Sequence, residues 1–287
     1  MKKIAVIDIG SNSVRLMMMA DGKVLYKTLE TTRLGEGIAS SSLLKREAVE
    51  RTAAAVAAFY ARANAEGAAS VYAFATAAVR SAENGREFVA RVRELCPLDV
   101  EVISGMEEAE LGILGALGGR DGGLVDAGGA STEIVVQKGG VLIYKKSVDI
   151  GVVRLKDMCG ADAEKLKRAA EIAVMEYGKV PDEVPMYAIG GTATTLAALS
   201  LDMREYDSSR ITGTIVTAAQ MRALAERLTK MRAEDIAKLP GVQPKRADVL
   251  GGGAVLLSVV MDRLGFSELI VSDSDNLEGY AKKRGLL

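Results

Sequence analysis

The pattern Val6-Ile7-Asp8-Ile9-Gly10-Ser11-Asn12-Ser13 returns later in the chain as Leu124-Val125-Asp126-Ala127-Gly128-Gly129-Ala130-Ser131. Each copy is an apolar strand that ends on an aspartate and turns through small residues. The likeness continues without a gap: Asp21-Gly22 falls opposite Gly139-Gly140, and Tyr26-Lys27 opposite Tyr144-Lys145. Asp-Gly and Gly-Gly suit a two-residue hairpin, so a strand-turn-strand-hairpin unit occurs twice. Such a repeat predicts a duplicated fold with two related halves. The Gly-rich stretch from Gly118 to Gly123 separates them. It predicts lobes at 1–120 and 121–287, with the last helix able to pack back on the first lobe.

Around the two units, helical and strand patterns alternate. Helical spacing covers 44–64, 88–95, 107–117, 163–177, 218–230, 233–239, 246–264 and 277–283. Buried-strand runs cover 71–76, 100–104, 186–189 and 269–272, and Gly190 to Thr195 reads as a turn opening a helix. This alternation predicts an α/β fold.

Composition narrows the chemistry. The 37 basic and 38 acidic residues nearly cancel, so no global field draws in nucleic acid or an anionic membrane. The two cysteines, Cys96 and Cys159, offer neither a disulfide framework nor a thiolate metal site. No apolar run reaches membrane-spanning length and the first one is too short for a signal peptide, so the expected location is cytoplasmic. Above all, the chain has no histidine. A general base must then come from Asp, Glu, Lys, Tyr or Cys, and a metal site must be lined mainly by oxygen, which suits Mg²⁺, Mn²⁺ or Ca²⁺ better than zinc.

Each Asp-x-Gly turn joins strand to strand, unlike a P-loop or a dinucleotide fingerprint, which lead into a helix. Glycine there lets backbone amides approach a phosphate, and serine or threonine hydroxyls add donors. An aspartate at the strand end can hold a metal through water. Two facing turns would clamp one oligophosphate from both sides. The copies also differ: Arg15 stands where Glu133 stands in the second unit. By strand alternation each lies on the side of its turn serine, Ser13 or Ser131. An arginine suits gripping phosphate; a glutamate suits activating water or holding a metal.

Asp8 to Leu16 and Asp126 to Glu133 resemble the two phosphate motifs of the exopolyphosphatase and guanosine pentaphosphate phosphohydrolase (Ppx/GppA) family, within the actin-like ATPase and sugar kinase superfamily. The segments from Ala75 to Arg80, Val102 to Ala109, Gly190 to Leu196, Leu239 to Gly241, Arg246 to Asp248 and Val271 to Asp273 match in the same order. The resemblance spans essentially the whole chain. It implies two ribonuclease-H-like lobes with a cleft between them, and a metal-dependent release of terminal phosphate from polyphosphate or guanosine pentaphosphate. Glu108 would be the catalytic carboxylate, with Glu107 beside it the weaker candidate and Glu133 the second carboxylate. Asp8 and Asp126 would position Mg²⁺ or Mn²⁺. Phosphate would meet Arg15, Arg80, Gly10, Ser11, Asn12, Ser13, Gly128, Gly129, Ser131, Thr132, Gly190, Gly191 and Thr192. Related two-lobed proteins are often dimers, so a homodimer is compatible with the resemblance.

Four positions depart from the family pattern: Glu110 replaces an arginine, Ala130 a glycine, Thr212 a histidine, and Ser274 an arginine. The lost positive charge predicts a weaker hold on a long polyanion. Two other functions fit the same motifs. A kinase of the superfamily would pass phosphate to a small acceptor, whereas Glu107, Glu108 and Glu133 favour water. A non-catalytic sensor would bind a nucleotide or guanosine polyphosphate without turnover.

Overall fold

In the computed structural model, residues 2–181 and 183–287 are described. The strands are β1 (Lys3–Ile9), β2 (Ser13–Ala20), β3 (Lys23–Thr31), β4 (Ala68–Ala75), β5 (Val100–Val102), β6 (Gly122–Ala127), β7 (Thr132–Lys138), β8 (Val141–Val148), β9 (Met186–Ile189), β10 (Ile215–Thr217) and β11 (Glu268–Val271). They form two sheets, ordered β3-β2-β1-β4-β5 and β10-β11-β9-β6-β7-β8. In each, a three-strand antiparallel meander is extended by parallel strands from its first member. The duplication therefore reaches beyond the hairpins, and β10 is an added antiparallel edge strand of the second sheet.

Local chemistry explains the shared meander. Asp21 and Gly22 have φ of 47° and 74°, and Gly139 and Gly140 have 60° and 74°, the left-handed pair that a tight right-twisted hairpin requires. A bulge falls between Met18 and Met19 in one hairpin and between Val136 and Gln137 in the other, the same place in the repeat. Met17 and Met19 bury against one face of the first sheet while Met18 buries against the other. Both faces of that sheet are covered, as sheets with parallel members require.

Two helices lie between the sheets, and each packs away from its own sequence half. The Gly105–Leu117 helix places Ala109, Ile113, Ala116 and Leu117 against Leu124, Val135 and Ile189 of the second sheet. The Asn276–Lys283 helix places Leu277, Tyr280 and Ala281 against Ile4, Val6, Met17 and Phe74 of the first. They cross where glycine removes the side chain. A Cβ at Gly115 would lie 1.9 Å from the Asp275 carbonyl oxygen, and one at Gly279 would lie 1.8 Å from that of Leu111.

The glycine run is less of a linker than its composition suggests. Gly118 ends the helix in the left-handed conformation, but Gly122 and Gly123 are buried residues of β6. A Cβ on Gly123 would meet Met186 Sδ at 2.1 Å, so glycine is there for close packing. Among the described residues, no helix is long and apolar enough to cross a membrane.

Candidate active site

Between the lobes lies an open cleft of about 810 Å³, lined by both Asp-x-Gly turns, the start of the Gly190–Ser200 helix, Glu108 and Arg246. The turns are built alike. The Gly10 amide donates to the Ser13 carbonyl at 3.0 Å, and the Gly128 amide to that of Ser131 at 3.0 Å. Both glycines line the cleft, yet those two amides are consumed in closing the turns. Among the described residues, the amides of Ser11, Asn12, Gly129 and Ala130 have no backbone partner of this kind and are the ones free to meet an anion. The turns also touch: a Cβ on Gly129 would sit 2.8 Å from Ser11 Cβ.

A third donor group comes from the Gly190–Ser200 helix. Its first amides have no intrahelical partners and its dipole favours an anion. Gly190 enters at φ 82°, where a Cβ would lie 2.8 Å from Asp126 Oδ1. Thr192, which also lines the cleft, ties its hydroxyl to the Ala127 carbonyl at 3.3 Å.

Three carboxyls line the cleft, Asp8, Glu108 and Asp126, at 4%, 8% and 8% exposed, and Glu133, 1% exposed, is buried close enough to feel the charges of the last two. Burial pushes Glu108 up to about 7 even though Arg80 opposes it. Burial likewise lifts Asp126 to about 6, against Arg15. Glu133 rises well above the usual carboxylate range, through burial and then the charges of Glu108 and Asp126. Asp8 is raised by burial, with Arg15 as the main opposition. Such a cluster holds protons or attracts cations, since burying unpaired negative charge is costly.

Asp8 Oδ1 and Glu133 Oε2 are buried without a hydrogen-bond partner. Among the described residues, no three carboxylate, thiol or imidazole groups converge in a ready-made metal cage. Mg²⁺ and Mn²⁺ are commonly held by one or two carboxylates, with waters and phosphate oxygens completing the shell. Asp8 and Asp126, with the oxygen-only donor set and the orphaned Asp8 oxygen, fit that description.

Several expected roles change in three dimensions. Glu107 is exposed and closes a capping box: its Oε2 accepts from the Ser104 amide at 2.9 Å. Successive helix positions point about 100° apart, so when Glu108 faces the cleft Glu107 cannot. It is therefore no catalytic candidate. Arg80 does not line the cleft. It donates from Nη1 to Glu108 Oε2 at 3.0 Å and to the Ile103 carbonyl at 3.0 Å, so in this structure it holds the carboxylate. Thr132 is fully buried, with its hydroxyl donating to the Ile150 carbonyl at 2.5 Å; it is a strut under the turn. Gly10, Ser11, Asn12, Ser13, Arg15, Gly128, Gly129, Ser131, Gly190, Gly191 and Thr192 line the cleft together with Asp8 and Asp126.

Residue patterns alone overlooked Arg246 and Asn276. Arg246 donates from Nη2 to Ser13 Oγ at 3.0 Å, and its Nε has no partner. Burial and the neighbouring Arg15 pull its guanidinium down to about 10, so it stays charged at neutral pH with a spare donor. Gly191 makes room for it, because a Cβ there would fall 1.4 Å from Nη1. Asn276 donates to Asp126 Oδ2 at 3.2 Å. Arg246 had been visible only as part of a motif, and nothing local marks Asn276 as more than a helix start.

The Ppx/GppA phosphatase family profile matches residues 5–281. Exopolyphosphatase 2 of Mycobacterium tuberculosis is 33% identical over 97% of both chains. The crystal structure of the Aquifex aeolicus Ppx/GppA family member is 29% identical, with a TM-score of 0.80, covering 99% of this chain and 98% of that one. An exopolyphosphatase from Cytophaga hutchinsonii, 23% identical with a TM-score of 0.85 over 100% of this chain and 99% of its own, bears on the fold alone.

Proposed function

This chain belongs to the Ppx/GppA phosphatase family, and from that premise we propose that it hydrolyses the terminal phosphoanhydride bond of inorganic polyphosphate. The observation that carries the reading is Glu108, buried in a cleft lined by two glycine turns, with Glu133 buried close by near the start of β7. Glu108, with its proton affinity raised to about 7, is matched to accept a proton from water near neutral pH. Arg80 holds that carboxylate in place from behind. Glu133, fixed through Oε1 by the Ser147 hydroxyl at 2.6 Å, leaves Oε2 to orient the water.

As the water oxygen attacks the terminal phosphorus, its proton passes to Glu108. The bridging oxygen keeps the electron pair of the broken bond and departs on the shortened chain. The free amides of both turns, the start of the Gly190–Ser200 helix and Arg246 surround the phosphate oxygens with donors, the kind of preorganised charge that such transfers depend on. A divalent cation bound at Asp8 and Asp126 would neutralise charge on those oxygens. Guanosine pentaphosphate presents the same terminal group and is the finer alternative substrate.

The test is phosphate release with Mg²⁺ from tripolyphosphate, long-chain polyphosphate, guanosine pentaphosphate and ATP, beside a Glu108→Ala, Glu133→Ala double variant. Release without an added acceptor, lost in the double variant, is expected. Binding with no release from any of the four would overturn the hydrolase in favour of a sensor.

A further inference from the structure

Arg15 is held from two sides. Its Nε donates to Asp8 Oδ2 at 2.9 Å, and its Nη1 forms an ion pair with Asp275. Asp8 is the cross-strand neighbour of Arg15 in the first sheet, whereas Asp275 comes from far along the chain, at the start of the last helix. The guanidinium remains 18% exposed and lines the cleft. Asp275 is itself 4% exposed, and Lys27 reaches the adjoining Asp273 and Glu278 at 2.8 Å and 3.0 Å. Asp275 itself is fixed by its Oδ1, which accepts from the Leu277 amide.

We propose that Asp275 is a specificity-determining residue that competes with phosphate for Arg15 and so weakens the hold of the cleft on long polyanionic chains. This rests on the hydrolase reading above. A carboxylate on a guanidinium occupies the donors that a phosphate would use, because both anions prefer the same planar fork. The turn amides and Arg246 still meet the terminal phosphate, so what Asp275 withholds is the attraction of one cation, which counts for more as the charge of the chain grows. Short oligophosphates are the substrates such a cleft favours.

Asp275 also caps the Asn276–Lys283 helix by accepting from the Leu277 amide at 3.1 Å, and asparagine caps as well as aspartate. Asp275→Asn therefore removes the charge and keeps the fold. It should lower KM for long-chain polyphosphate about tenfold, the size of one charge-assisted hydrogen bond gained, with kcat on tripolyphosphate within about twofold. Binding of long-chain polyphosphate should also depend more steeply on salt, by about one unit of log–log slope. Asp275→Glu should keep the wild-type KM, and adding Arg15→Met to Asp275→Asn should erase the gain.

Unchanged KM and salt slope in Asp275→Asn would overturn the proposal. So would a gain that survives Arg15→Met. Binding is followed in a Glu108→Gln background, or on the unaltered chain if that releases no phosphate. A failure of the hydrolase reading is then seen separately from a failure of this one.

Discussion

The two hairpins place different partners at one register position. In the first, Asp8 faces Arg15 across β1 and β2; in the second, Asp126 faces Glu133 across β6 and β7. The first pair is an ion pair. The second sets acid against acid: burial, and then the charges of Glu108 and Asp126, raise the proton affinity of Glu133. The same backbone thus holds a cation in the cleft in one copy and a buried carboxyl in the other. The two copies differ in charge at one register position, because the strand pairing fixes where the side chain points while its charge is free to vary.

The contrast breaks most sharply at the acid pair. Glu108→Gln, or Glu133→Gln, should lower kcat by about 10²- to 10⁴-fold, the usual contribution of a positioned base, with little change in substrate binding. Steady-state phosphate release beside equilibrium binding would distinguish this from a loss of affinity.

The hairpins should also respond oppositely in stability. Arg15→Met leaves Asp8 and Asp275 buried without their cation, and a denaturant titration should show a loss of about 3–5 kcal/mol. Glu133→Gln removes a crowded acid and should leave the ligand-free protein at least as stable as before. A Glu133→Gln variant clearly less stable than the parent would mean that the second pair is structural as well.

A pH series sharpens the comparison further. Glu108 and Asp126 have folded values of about 7 and about 6, above their unfolded ones. The folded state therefore binds protons more tightly, and stability falls as pH rises from the unfolded values through the folded ones. Melting temperature in a chelator should drop between about pH 4 and about pH 7, less so in Glu133→Gln. Activity should run the other way, with kcat/KM rising through about pH 7 as Glu108 loses its proton. A flat rate profile across that range would remove Glu108 as the base.

The smallest expected effect is at Gly191. A methyl there displaces the end of the Arg246 side chain, which can swing aside, so Gly191→Ala should raise KM several-fold, of the order of one hydrogen bond of about 1 kcal/mol, with kcat nearly unchanged. Saturation kinetics on tripolyphosphate would show it.

Much of this was legible in residue order. Asp8, Asp126, Glu133 and both glycine turns were marked by the repeat itself, since strand alternation and turn chemistry are local properties that neighbouring residues dictate. The helix predicted over 107–117 was nearly as clear, although it begins at Gly105 behind the Ser104 cap. Glu107 was named by resemblance alone, and its carboxylate serves that helix end. The short strand β10 and the helices Ala77–Ser81 and Val152–Cys159 carry too few residues for a period to declare itself.

The pairing of Arg15 with Asp275, the arrival of Arg246 over Gly191 and the turning of Arg80 toward Glu108 had no such signature. Each joins residues far apart in the chain, and which partner a buried charge finds depends on how the lobes and the two crossing helices pack. Sequence alone determined that two like hairpins would each present an aspartate and open amides, because those features follow from residues a few positions apart. Only the tertiary structure decided which charges meet in the cleft, because the closeness of Gly115 and Gly279 to backbone on the facing helix sets where the last helix delivers Asp275 and Asn276.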